Sequence, residues 1–208
     1  MGGVDTPRAA GAVRLLAVVR HARAESGEEG ADHERRLTAR GRADAAATGR
    51  WLAARLAEWS AGLGPVWVSS AVRARSTWEE IRRALPAPGQ VDVDRALYLA
   101  GAREVLDHLG AGDGDGPGVR LVVGHNPTME HVVRALTGEL HGMRPGAVVL
   151  VALDGERGGT LVDRWSPRES RGDRPAQVGG VSTSMPSAAS ASSTSSREMP
   201  RRNSTASR

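Results

Sequence analysis

Two apolar runs end alike, and together they restrict what this chain can fold into. Leu15–Val19 ("LLAVV") stops at Arg20-His21, and Val119–Val123 ("VRLVV"), broken only by Arg120, stops at Gly124-His125. Neither run alternates apolar with polar residues, as a strand with one wet face would. Such strands belong in a sheet covered on both sides, the ordinary environment of parallel strands. Parallel neighbours need crossovers, and the sequence supplies helical stretches where crossovers are required. Thr38 can cap a helix over about 39–59, in which Trp51, Leu52, Arg55, Leu56 and Trp59 form a stripe at helical spacing.

The rest follows the same alternation. Gly64-Pro65 precedes a strand at 66–70, a helix runs on to Leu85, and "PAPG" stops it. A short strand at 91–93, a loop around Tyr98, a helix at about 103–109 and a Gly-rich linker at 110–118 lead to the second apolar run. Asn126 is expected to cap the next helix, with Pro127 in its first position. Strands at 147–153 and 160–165 complete an α/β domain, a three-layer sandwich with a mostly parallel central sheet flanked by helices. Its expected limits are residues 13–165, after a flexible N-terminus (1–12). Residues 166–208 are Ser-rich with few large apolar side chains. They cannot bury enough surface to offset ordering and are expected to form a disordered tail.

Composition excludes several classes of chemistry. The absence of Cys removes thiolate nucleophiles, disulfides and Cys-ligated metal sites. No apolar stretch approaches the about 18 residues of a membrane span, and the N-terminus lacks the order of a signal peptide, so a cytoplasmic protein is expected. The net charge of +4 comes wholly from the tail, where residues 166–208 carry seven Arg against three acids. A core with balanced charge gives no footprint for nucleic acid.

In parallel sheets ligands gather at the carboxyl ends of the strands. Three strands here deliver polar groups at that end: Arg20-His21, then Ser69-Ser70 with Arg73 just beyond, then His125. Two guanidinium forks match the geometry of a phosphate, and an imidazole can attack phosphorus. The residues point to phosphoryl transfer.

The motifs themselves carry a resemblance. "VVRHARA" resembles the Arg-His-Gly/Ala signature of the histidine phosphatase superfamily, also called the phosphoglycerate mutase-like group. "SSAVRARSTWEEI" is similar to its Ser-x-x-x-Arg-Ala-x-x-Thr segment, and "VVGHNPT" to the second histidine motif of its short, SixA-type phosphohistidine phosphatases. "ERRLTARGRADA" resembles the Arg-Pro-Leu-Thr-x-x-Gly element of that branch, with Arg36 in place of Pro. The likeness covers about residues 13–154 and implies a phosphoglycerate mutase-like fold.

It further implies that His21 is a nucleophile forming a phosphohistidine intermediate, that Arg20 and Arg73 hold phosphoryl oxygens, and that His125 assists the transferring group. Arg35 and Ser69 would line the pocket mouth, and neither metal nor organic cofactor is required. Larger members place an acidic proton donor where Leu97 or Tyr98 falls here, with Asp94 and Glu104 as the flanking candidates. An imidazole leaving group can be protonated by solvent, whereas an alcohol departs poorly without an acid. A missing acid therefore favours phosphohistidine on a partner protein as the substrate. The alternatives are a small phosphate ester, in which case Glu104 or Asp94 should matter, and a phosphate-binding module without turnover. His33, His108, His131 and His141 lack a partner pattern and read as surface or part-buried histidines.

Overall fold

The computed structural model describes residues 14–26, 31–111, 118–154 and 158–167. The N-terminal segment, most of the Gly-rich linker and nearly all of the Ser-rich tail lie outside the described residues. Parallel strands come first in the chain: β1 (Arg14–Arg20), β2 (Leu63–Ser69), β3 (Val91–Asp94) and β4 (Val119–Gly124). They are followed by β5 (Val148–Asp154) and β6 (Gly158–Trp165). The sheet order is β3-β2-β4-β1-β5-β6, with β5 and β6 antiparallel to their neighbours and all other pairings parallel. The fold is thus the expected α/β arrangement, a mixed sheet flanked by helices, with an antiparallel pair at one edge.

β1 is central, and its interior residues Leu15–Val19 are all buried, as a run without alternation requires. Its alternate residues Leu16 and Val18 pack in one cluster with Met129, Val132, Val133 and Leu136 of α5 (Thr128–Thr137) and Val105 of α4 (Ala102–Ala111). Elsewhere α1 (Ala39–Glu58) packs against α2 (Val72–Arg82) so closely that a Cβ on Gly49 would lie 2.5 Å from the Ile81 carbonyl oxygen. Thr38 caps α1 as expected, its side chain accepting from Gly41 N at 2.9 Å.

Three local expectations change. β2 begins at Leu63 rather than after Gly64-Pro65, because a register shift between Leu63 and Val66 absorbs the proline. A bulge is where an interior strand tolerates a residue with no N–H. The segment around Tyr98 is a one-turn helix, α3 (Ala96–Leu99). Asn126 does not cap α5, and Pro127 takes the cap position with no side-chain bond. The Asn126 amide donates instead to Glu130 Oε1 (2.7 Å) and Met143 O (3.0 Å), tying α5 to the 143 turn.

Candidate active site

Register brings the two histidines together. Arg20 of β1 is the cross-strand partner of Gly124 of β4, so His21 and His125 leave adjacent parallel strands at the same level. The His21 amide donates to Gly124 O (2.9 Å), and the Gly146 amide sits against Arg20 O and His21 O (3.2 and 3.1 Å). Gly146 has φ of +81°, a left-handed conformation that costs glycine nothing and other residues more. Thr77 secures the next residue: its hydroxyl accepts from Ala22 N (2.9 Å) and donates to Arg73 O (2.7 Å). The Thr of the Ser-x-x-x-Arg-Ala-x-x-Thr segment thereby joins the His21 corner to α2.

The two rings lie 5.0 Å apart, centroid to centroid, tilted by 57°. His21 Nδ1 is 2.8 Å from Ala22 O. A carbonyl can only accept, so Nδ1 carries the proton and Nε2 keeps its lone pair. Arg73 Nε donates toward that lone pair at 3.3 Å. His125 Nε2 meets Ser69 Oγ at 2.7 Å. Arg20 donates through Nη1 to Met143 O (2.6 Å), while its Nε and His125 Nδ1 are buried with no hydrogen-bond partner among the described residues.

The short turn Asp32–Glu34 completes the surroundings. Arg73, with a side chain only 6% exposed, donates Nη1 to the Asp32 carbonyl and Nη2 to Asp32 Oδ2 at 2.8 Å. Arg35 Nη1 reaches Asp32 Oδ1 (2.9 Å), and the Tyr98 hydroxyl donates to Asp32 Oδ2 (2.8 Å). These donors, Arg35 first, hold the Asp32 carboxyl far below the usual carboxylate range, so it is an anion. The same carboxylate pushes the Tyr98 phenol up. Tyr98 also stands edge-on to His125 at 5.5 Å and to His33 at 5.0 Å.

The site thus gathers His21, His125, Arg73 and Ser69, with the charges of Arg20 and Arg35 close enough to act on His21. The two candidate acids are bonded to backbone N–H groups close by in the chain. Asp94 Oδ1 accepts from Ala96 N (2.7 Å) and Glu104 Oε2 from Gly101 N (2.6 Å), both as turn and helix-start caps. Leu97 is buried in the core. Sequence reasoning missed Asp32, His33 and Tyr98. His33 has partners after all, Ser70 Oγ (2.9 Å) and Glu34 Oε1 (2.8 Å), supplied by the fold. The one available signal was positional, because Asp32 and His33 directly precede the "ERRLT" element and Tyr98 is the only tyrosine.

Burial pushes the His21 imidazole down to about 4, helped by Arg73, Arg20 and Arg35, with the Ala22 bond opposing. Burial and then His21 and Arg73 push His125 down to about 3. Both rings are neutral at pH 7. In the unfolded chain they take protons near ~6.5, so between there and about pH 4 the unfolded state binds more protons. The stabilisation is complete above ~6.5 and is lost as pH falls. We expect Tm to drop steeply from pH 7 to 4.5, and less steeply in His125→Asn. Equal slopes for the two proteins would show that the buried rings do not carry this dependence.

An unprotonated imidazole nitrogen against a guanidinium, beside a second neutral imidazole, is equipped to attack an anionic electrophile. The comparisons agree with that chemistry. Residues 16–98 match the histidine phosphatase superfamily (branch 1). No curated protein sequence matches the chain. The protein histidine phosphatase SixA in complex with tungstate is similar at 26% identity and TM-score 0.66, over 76% of this chain and 99% of that one. A putative phosphohistidine phosphatase SixA from Nakamurella multipartitia is similar at 28% identity and TM-score 0.61, over 75% and 97%. A phosphoglycerate mutase from Plasmodium falciparum shares the fold at 21% identity and TM-score 0.53, over 73% and 89%. With these matches, the strand-end histidines and the sheet order, the chain is similar to the histidine phosphatase superfamily, in sequence over residues 16–98 and in fold over about three quarters of its length.

Proposed function

We propose that the protein removes phosphoryl groups from phosphohistidine on a partner protein through a phosphoenzyme at His21. The observation that carries this reading is the lone pair of His21 Nε2, facing Arg73 at 3.3 Å and beside the His125 ring. In the first step His21 Nε2 bonds to phosphorus, the substrate N–P bond breaks, and the departing imidazole takes a proton from solvent. In the second, water attacks the phosphoenzyme, the P–Nε2 bond breaks, and inorganic phosphate leaves. Arg20 and Arg73 hold the equatorial oxygens, and His125 donates to them as charge develops. Arg20 Nε and His125 Nδ1, buried and unspent, are groups that a bound phosphoryl would satisfy.

The choice of substrate rests on proton supply. Asp32 is an anion, Tyr98 holds its proton firmly, and Asp94 and Glu104 are engaged as caps. Among the described residues these carboxyl groups are thus committed elsewhere and offer no proton to an alkoxide, whereas an imidazole needs only solvent. The test assays a phosphohistidine peptide beside a panel of alkyl phosphates. Turnover of the peptide should exceed that of the esters by at least about 10²-fold, the usual worth of a general acid. Faster turnover of the esters, abolished by Glu104→Gln or Asp94→Asn, would overturn the reading.

A further inference from the structure

We propose that the groove beside the histidine pair docks the polypeptide carrying the phosphoryl group, through an apolar side chain flanked by Arg or Lys. The inference rests on the phosphohistidine reading above and names the chemistry of the partner. The groove encloses about 310 Å3. Its floor is Trp67, on which the His108 ring stacks at 3.7 Å, and Leu99 and Ala96 of α3 form one wall. Asp94 and Glu104 supply its charge.

Two elements join the groove to the site. Asp94 is the cross-strand partner of Ser69, whose hydroxyl meets His125. In α3, Tyr98 stands against His125 while its neighbour Leu99 lines the groove. Groove residues are thus neighbours of residues that touch His125, Asp94 across the sheet from Ser69 and Leu99 next to Tyr98 in α3. Leu99 is 78% exposed, so its side chain is accessible to an occupant of the groove.

Charge selects the occupant. The chain has 28 basic residues, all of them Arg, yet none lines this groove among the described residues. Two carboxylates do, each oriented by a backbone N–H that it accepts. An apolar floor with fixed acids at its rim favours a leucine-like side chain beside a cation, and it disfavours an acidic segment. A small phosphate ester would fill the histidine site without reaching the groove.

The experiment uses the full chain with three probes: phosphoramidate and two peptides of equal length, each bearing one phosphohistidine. One peptide carries Leu-Arg beside the phosphohistidine, the other Ser-Glu. Wild type should show a KM about tenfold lower for the Leu-Arg peptide. Leu99→Arg, which puts a cation on an exposed position, and Glu104→Gln, whose amide oxygen can still cap Gly101, should each erase most of that preference. Both variants should hydrolyse phosphoramidate as wild type does. Equal KM for the two peptides in wild type, or parallel losses on phosphoramidate and peptide in the variants, would overturn the docking proposal. Turnover of phosphoramidate with neither peptide touched would remove the phosphohistidine-protein reading itself, and docking with it.

Discussion

His21→Ala should take up no acid-labile label from a phosphodonor under conditions in which wild type labels readily, and its kcat/KM should fall by at least about 10⁴-fold. The size of this effect follows from what is lost. Removing the imidazole deletes the atom that bonds to phosphorus, and water would have to attack directly across a site shaped for a ring nitrogen. By contrast, His125→Ala removes a donor to developing charge, and losses of on the order of 10²–10³-fold are usual for one such donor. That variant should still label, slowly. The fold should survive His21→Ala, because the ring's one bond to the backbone is to the carbonyl of the next residue, and the main chain of the corner is held by Gly124 and Gly146. Label persisting on His21→Ala would move the nucleophile to another side chain, with His125, 5.0 Å away, the first to examine.

The legibility of this site divides along the boundary between strands and loops. Arg20, His21 and His125 could be read from the chain because apolar runs without alternation mark parallel strands, and parallel register sets their ends level. Arg73 and Thr77 follow a strand directly and inherit its position. Asp32, His33 and Tyr98 have no such anchor. Their places depend on how the 31–35 turn and α3 settle against Arg73 and His125, a matter of tertiary contact that spacing does not encode. α3 itself, four residues long, is too short for any periodicity to announce it. Asn126 shows the converse error. Its type and position suit a cap, but Glu130 and the Met143 carbonyl offer its amide better partners once the 143 turn arrives. The candidate acids meet the same local competition, since each carboxylate accepts from a backbone N–H close by in sequence.

Arg73→Lys should lower kcat/KM by on the order of 10²–10³-fold although charge is conserved. Arg73 spends three donors in three fixed directions: Nε toward His21 Nε2, Nη1 on the Asp32 carbonyl and Nη2 on the Asp32 carboxylate. The planar fork is what lets one side chain be anchored at its far edge and face His21 with its near edge. An ammonium is a single point, so a lysine drawn to the Asp32 carboxylate leaves nothing aimed at the phosphoryl group. Asp32→Asn separates anchoring from charge. Its backbone carbonyl still holds Nη1, and its amide oxygen can accept from Nη2, so the fork should stay in place and the loss should be smaller than that of Arg73→Lys. If the two variants lose equally, the carboxylate itself sets the position of Arg73. If Arg73→Lys retains wild-type kcat/KM, the guanidinium contributes only charge, and the directional contact with His21 Nε2 is not part of the chemistry.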